Sequence, residues 1–197
     1  MEEGTPFMKK TLCLVAAIAL LLGCAACSTA PGDKDTLTGT PEEVLAQLKE
    51  APDVELGMTF DNEVTADKAE YVLGLTEAQF AEYVESAYEA AAAISTFAQS
   101  NVIVKCKDAS AATEVKKLIA KGFNSNKWIC VFPEQSVVVE SGSYILLAVG
   151  TAETTNALVE AFKSLSGGNT GSPDVFFTHD GEAGGDIELG GGDLNPQ

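Results

Sequence analysis

Hydrophobic and polar positions change rhythm several times along these 197 residues. The first feature is an unbroken apolar run behind the pair Lys9-Lys10, ending at Leu21-Leu22-Gly23-Cys24. The run covers 12 residues, 11–22, well short of the roughly 20 a helix needs to span a bilayer. After a polar stretch with Pro and Gly over 28–39, helical spacing sets in. Thr40 and Glu43 fit a capping box, Pro41 takes the first helical position, and Val44, Leu45 and Leu48 share a face; Pro52 closes this helix. A short helix is predicted over 67–73, stopped by Gly74. Thr76 with Gln79 makes a second capping box. Phe80, Tyr83, Val84, Ala87, Tyr88 and Ala91 follow at helical spacing. Propensity therefore predicts helix to about residue 93, part of which turns to strand if tertiary pairing demands it.

The pattern then changes. Residues 101–107 (NVIVKCK) are β-like, and 108–121 predict a helix with Ala112, Val115, Leu118 and Ile119 inward and Gly122 as its stop. Residues 128–132 form a short apolar, strand-like piece. SVVVE (136–140) and SYILLAV (143–149) flank Ser141-Gly142, a hairpin signal. The second of these strands is apolar on both faces, which predicts a central strand covered on both sides. Thr151 caps a last helix with Leu158, Ala161, Phe162 and Leu165 facing the core.

These elements predict an α+β fold: one domain, an antiparallel sheet with helices packed on it. An internal echo supports two ββα-like units. Val102, Val104 and Cys106 match Tyr144, Leu146 and Ala148, while Val115 and Ile119 match Leu158 and Phe162. Two such units sharing one sheet are expected to bury both helices on one face. The chain divides into a signal peptide (1–23), a lipidated cysteine with a flexible tether (24–39), the α+β domain (40–166) and a tail (167–197). The stretch from Ser166 holds nine of the eighteen glycines, six acidic residues and no lysine, so it is read as mostly disordered. Phe176-Phe177 is its one bulky pair, suited to docking on the domain or to serving as a short recognition segment.

A basic start, a short apolar run and small residues before a cysteine are the parts of a bacterial lipoprotein signal. Met8 is read as its true start, because Glu2 and Glu3 are out of place before such a run. Cys24 is the expected lipidation site, with Cys27 as the rival acceptor. Several lipid chains on one cysteine anchor stably, at about 0.8 kcal/mol per buried methylene. Cleavage before Cys24 removes two lysines and two glutamates, so the mature chain keeps the net charge of −17. No arginine occurs. Such a surface repels nucleic acid, whose binding needs cationic side chains on phosphate. Cys106 and Cys130 both lie in strand-like segments. They are expected either as small buried hydrophobes or as a disulfide, which export permits.

Between about Thr76 and Leu165 runs the order Thr76-Glu77, Glu82-Tyr83-Val84, Lys105-Cys106-Lys107-Asp108, Phe132-Pro133-Glu134 and Gly142-Ser143-Tyr144-Ile145-Leu146-Leu147. With the lipoprotein signal, this order resembles domain of unknown function family 4358. The family consists of small surface lipoproteins of Gram-positive anaerobes. The resemblance implies an extracytoplasmic, membrane-anchored protein and supplies no catalytic residues.

Candidate chemistry is sparse. His179, the single histidine, lies in the tail, where a general base lacks fixed geometry. No Gly-x-Ser-x-Gly elbow and no phosphate-binding glycine loop occurs. Residues 184–190 (GGDIELG) resemble a calcium-binding glycine–aspartate repeat, but a single copy cannot stack into a coil. Trp128, Phe132 and Tyr144 are expected in the core rather than on a ligand shelf. The expectation is therefore a lipid-anchored binding or assembly module on the extracytoplasmic face of the cell membrane. It carries no catalytic residue, metal or cofactor, and its partner is an envelope protein or ligand. The competing readings are an envelope hydrolase using acidic residues and a low-affinity cation-binding surface protein.

Overall fold

The structure, a computed structural model, describes residues 37–94 and 96–179. Cys24, Cys27 and residues 184–190 lie outside them. Helix α1 (Pro41–Lys49) starts as its capping box predicts. The Thr40 hydroxyl accepts from the Glu43 N–H at 3.2 Å, and the Glu43 carboxylate accepts from the Thr40 N–H at 2.8 Å. Strand β1 (Thr59–Glu63) leads through a 3₁₀ turn (Ala66–Lys68) into the short helix α2 (Ala69–Leu73), which Gly74 ends at φ +72°. The Thr76–Gln79 box opens α3 (Glu77–Tyr83).

The next residues take the strand alternative in place of the long helix that propensity predicts. Helix α3 stops at Tyr83 and the chain becomes β2 (Val84–Ala92). Two causes act together. Lys107 donates its Nζ to the carbonyls of Ala81 and Glu82, at 2.7 and 2.8 Å, and its N–H to that of Tyr83, so the helix end is satisfied from outside. Beyond it, β2 pairs with β1 on one side and with β3 (Ser100–Cys106) on the other. Ladder pairing on both edges overrides the helical preference of an alanine- and glutamate-rich segment.

Helix α4 (Ala109–Gly122) follows, capped by the Asp108 carboxylate on the Ala111 N–H at 2.8 Å. Strands β4 (Gln135–Ser141) and β5 (Tyr144–Gly150) form the predicted hairpin around Gly142, at φ +56°. Helix α5 (Ala152–Leu165) starts at the Thr151 cap, and β6 (Asp174–Thr178) ends the described chain. The six strands lie in the order β1-β2-β3-β5-β4-β6, every pair antiparallel. The α+β fold is as the sequence predicts. Strand β5 is central, and all seven of its residues are buried.

Helices cover both faces. Val102, Val104, Cys106, Ile145 and Leu147 pack with α2, α3 and α4. Ile103, Val139, Tyr144, Leu146 and Ala148 pack with α1 and α5 on the other side. The expectation that both ββα helices share a face is thus corrected. Each matched triplet does meet its own following helix, but adjacent strands present those triplets to opposite sides. Val102 pairs with Leu147 and Val104 with Ile145, so Leu146 and Ala148 point the other way.

The expected boundaries also move. Residues 37–39, assigned to the tether, belong to the domain: Leu37 is buried beside α1, and the Tyr144 hydroxyl donates to the Gly39 carbonyl at 2.6 Å. At the other end, part of the expected disordered tail is β6, paired along β4 from Gln135↔Thr178 to Val138↔Asp174. Phe176 anchors it edge-on against Phe123, 5.9 Å between ring centroids. Lys116 fixes the approach to the strand, with its Nζ 2.5 Å from both the Glu140 carboxylate and the Ser172 carbonyl. Two bulky rings suffice to add a strand to an existing edge, whatever the composition around them.

Residues 128–132 are a loop rather than a strand, with Cys130 exposed at φ +65°. Cys106 is buried, both thiols are free, and the disulfide alternative is not formed. Tyr144 is core and Trp128 packs at the core's margin, but Phe132 stands half exposed, against expectation.

Candidate functional site

One end of the sheet gathers loops. Strand β2 ends there, β3 and β4 begin, β5 ends at Gly150 and β6 ends at Thr178. Met58, just before β1, joins them through its carbonyl, which accepts from the Ala93 N–H at 3.0 Å. Five large apolar side chains stand exposed on these segments: Met58, Ile94, Phe97, Ile129 and Phe132. Phe97 and Phe132 line a cleft of about 240 Å³ together with Ala98, Val131, Pro133 and Gly150. His179 lies here too, its ring tilted against Phe132 at 5.4 Å.

Backbone bonds hold this crest. The Ala92 N–H reaches the Gln99 carbonyl, the Glu134 N–H the Gly150 carbonyl at 2.9 Å, and the His179 N–H the Glu134 carbonyl at 2.8 Å. The Glu134 carboxylate accepts from the Ala152 N–H at 2.9 Å, where α5 begins. Polar loops in water normally turn such side chains inward, and clustered exposed apolar residues mark a contact surface. The Gly39 contact lies at the opposite end, where β5 starts. One strand length, about 20 Å for seven residues at roughly 3.3 Å each, separates the two ends.

A second feature lies on the α4 face. The Lys127 ammonium stands 4.7 Å from the ring centres of Tyr71 and Phe123 and 4.9 Å from that of Trp128. It donates to the Tyr71 carbonyl at 3.1 Å. Burial pushes its pKa down to about 8, and the charge of the Glu89 carboxylate opposes this only in part. Sequence reasoning missed this cage. Lys127 and Trp128 are neighbours, but Tyr71 is 56 residues away, and nothing local signals that it closes the ring set.

The buried thiol and the paired carboxylate beside α1 are both held in unreactive states. Burial, with a contribution from Asp108, pushes the Cys106 thiol up to about 12, so it carries no nucleophilic thiolate. Glu42 and Asp61 line one groove beside α1. Burial raises the Asp61 carboxyl pKa, but hydrogen bonds from Lys49 and Thr59 and the Lys49 charge outweigh it and hold the group below its ordinary value. Lys49 contacts Asp61 at 2.6 Å, so this carboxylate is a paired anion and not a proton donor. Among the described residues, no group of three His, Cys, Asp or Glu side chains could hold a metal ion. No helix among them is long and apolar enough to cross a membrane. Neither a family model, nor a curated protein, nor a solved structure matches the chain.

Proposed function

We propose that this protein is a lipid-anchored surface lipoprotein, held through Cys24, and that its domain is a non-catalytic module binding another envelope protein. The observation that carries the reading is the apolar crest at the sheet end away from Gly39. Clustered exposed apolar side chains of this kind mark a surface that a partner covers. The lipoprotein signal and the resemblance to domain of unknown function family 4358 point the same way. The binding energy comes from few side chains: exposed aromatics on fixed loops lose little conformational freedom on contact.

The test is cross-linking of the intact protein in its native membrane, comparing wild type with Phe97→Asp/Phe132→Asp. Both rings face solvent, so the fold survives the exchange, which circular dichroism verifies. A partner recovered in near-stoichiometric amount with wild type and lost with the double variant supports the reading. A partner retained equally by both, or none with either, overturns it. The Cys24→Ala/Cys27→Ala double variant, which lacks both candidate acceptors, leaves the membrane fraction, and its persistence there rejects the anchor.

A further inference from the structure

The cage on the α4 face holds a cation by unusual means. Lys127 meets three aromatic faces, within 4.7 to 4.9 Å of their centres, and one carbonyl. Among the described residues its ammonium forms no ion pair with a carboxylate. A primary ammonium carries three N–H donors, and ring faces satisfy donors poorly. The pocket thus offers attraction for positive charge and few acceptors. That chemistry suits a cation with no N–H at all. Trimethylammonium spreads its charge over methyl groups that pack on ring faces, which is how aromatic cages recognise choline-type ligands.

Access and displacement are both built in. Tyr71 is 63% exposed, so one wall of the cage borders solvent. Lys127 sits on a turn, its N–H on the Asn124 carbonyl at 3.3 Å, and a turn lets the side chain swing outward. The swing frees an ammonium that burial disfavours, since its pKa in the cage falls to about 8. The net charge of −17 raises the local concentration of small cations.

We propose that the pocket between Tyr71, Phe123 and Trp128 binds a small quaternary ammonium of the choline class, and that Lys127 is its tethered competitor. A tethered group competes at an effective concentration of millimolar or more. The unliganded pocket therefore stays filled, and the external cation binds by exchange.

Trp128 is the single tryptophan of the chain, so its fluorescence reads the pocket directly. The full chain in detergent is titrated with choline chloride against matched sodium chloride. The Lys127→Ala variant, whose cage is vacated, shows a saturable change with choline affinity at least tenfold above wild type. Adding Tyr71→Ala removes it, and Lys127→Met, which refills the cage without charge, shows none. Absence of a saturable change in Lys127→Ala, or a change that survives Tyr71→Ala, overturns the proposal. If Lys127→Ala fails to fold, choline restores its circular dichroism; failure to restore it while Lys127→Met folds is equally fatal. Phosphocholine is titrated in parallel. Tighter binding of choline marks a free cation, tighter binding of phosphocholine marks the headgroup of a larger molecule, and either supports the site.

Discussion

At the scale of single residues, Gly122 shows how a correct guess can rest on the wrong reason. Its place after an amphipathic run suggests a helix stop, yet it is the last residue of α4, and Phe123 is the cap. The structure requires glycine there because the ends of α2 and α4 meet backbone to backbone. A methyl group on Gly122 would collide with the Gly74 carbonyl, and one on Gly74 with the Gly122 backbone. Gly74 is further bound to glycine by its positive φ. Gly122→Ala is therefore expected to destabilise the protein by roughly 1–3 kcal/mol, as overpacking does, in urea denaturation. A cost below about 0.5 kcal/mol would mean the helices part freely. The capping boxes, by contrast, were legible from sequence because Thr40 needs only Glu43 and Thr76 only Gln79.

Lys127 makes a second prediction at this scale. Its pKa is about 8 in the fold, below the roughly 10.4 of an unfolded chain. Between these values the unfolded state binds the extra proton, so stability rises with pH across that window and is flat below it. The Cys106 thiol acts in the opposite sense above about pH 9, since only the unfolded chain ionises it there. The comparison is therefore wild type against Lys127→Met, both retaining Cys106. Wild type is expected to gain on the variant from about pH 7.5 to 9.5 in denaturant titrations. Equal pH profiles would place the ammonium in water.

Among the elements, β2 and β6 mark where local pattern gives way to pairing. Nothing within 84–92 opposes a helix; the strand exists because β1 and β3 supply both ladders. Strand β6 is the converse, a short apolar piece in glycine-rich surroundings, visible in sequence only as Phe176-Phe177. Phe176 is half-buried against Phe123 and the α4 face. Phe176→Ala is expected to cost about 1–3 kcal/mol, less than a fully buried ring, and to expose 174–178 to proteolysis. Unchanged stability and protection would show that β6 contributes nothing to the domain. The candidate site follows the same logic. Phe97 and Phe132 lie 35 residues apart in sequence, and only the sheet order brings their loops to one end.

For the whole molecule, charge is the leading variable. Acidic residues outnumber basic ones 29 to 12, and no arginine is present to form two-pronged pairs. Self-repulsion at low salt opposes the compact state. Raising sodium chloride from about 0.01 to about 0.1 M shortens the screening length roughly threefold. The melting temperature is expected to climb by roughly 3 °C or more, about what 1 kcal/mol gives at this size. A flat response would mean the acidic groups are already spaced far apart. The mixed fold class was legible at this scale because strand and helix periods alternate cleanly after residue 100. The two-sided packing was not, because a matched pair of strand–helix patterns says nothing about which face each helix takes.

That packing gives the two halves a symmetry of strands without a symmetry of helices. Turning the sheet by half a turn about its normal lays β4 and β5 over β2 and β3, strand on strand. Helix α5 then falls behind the sheet where α4 stands in front. The two strand–strand–helix halves have opposite hands. Their likeness in sequence has a physical root: two hairpins, each obliged to present one greasy stripe to the helix that comes next, arrive at the same spelling on opposite sides of the sheet.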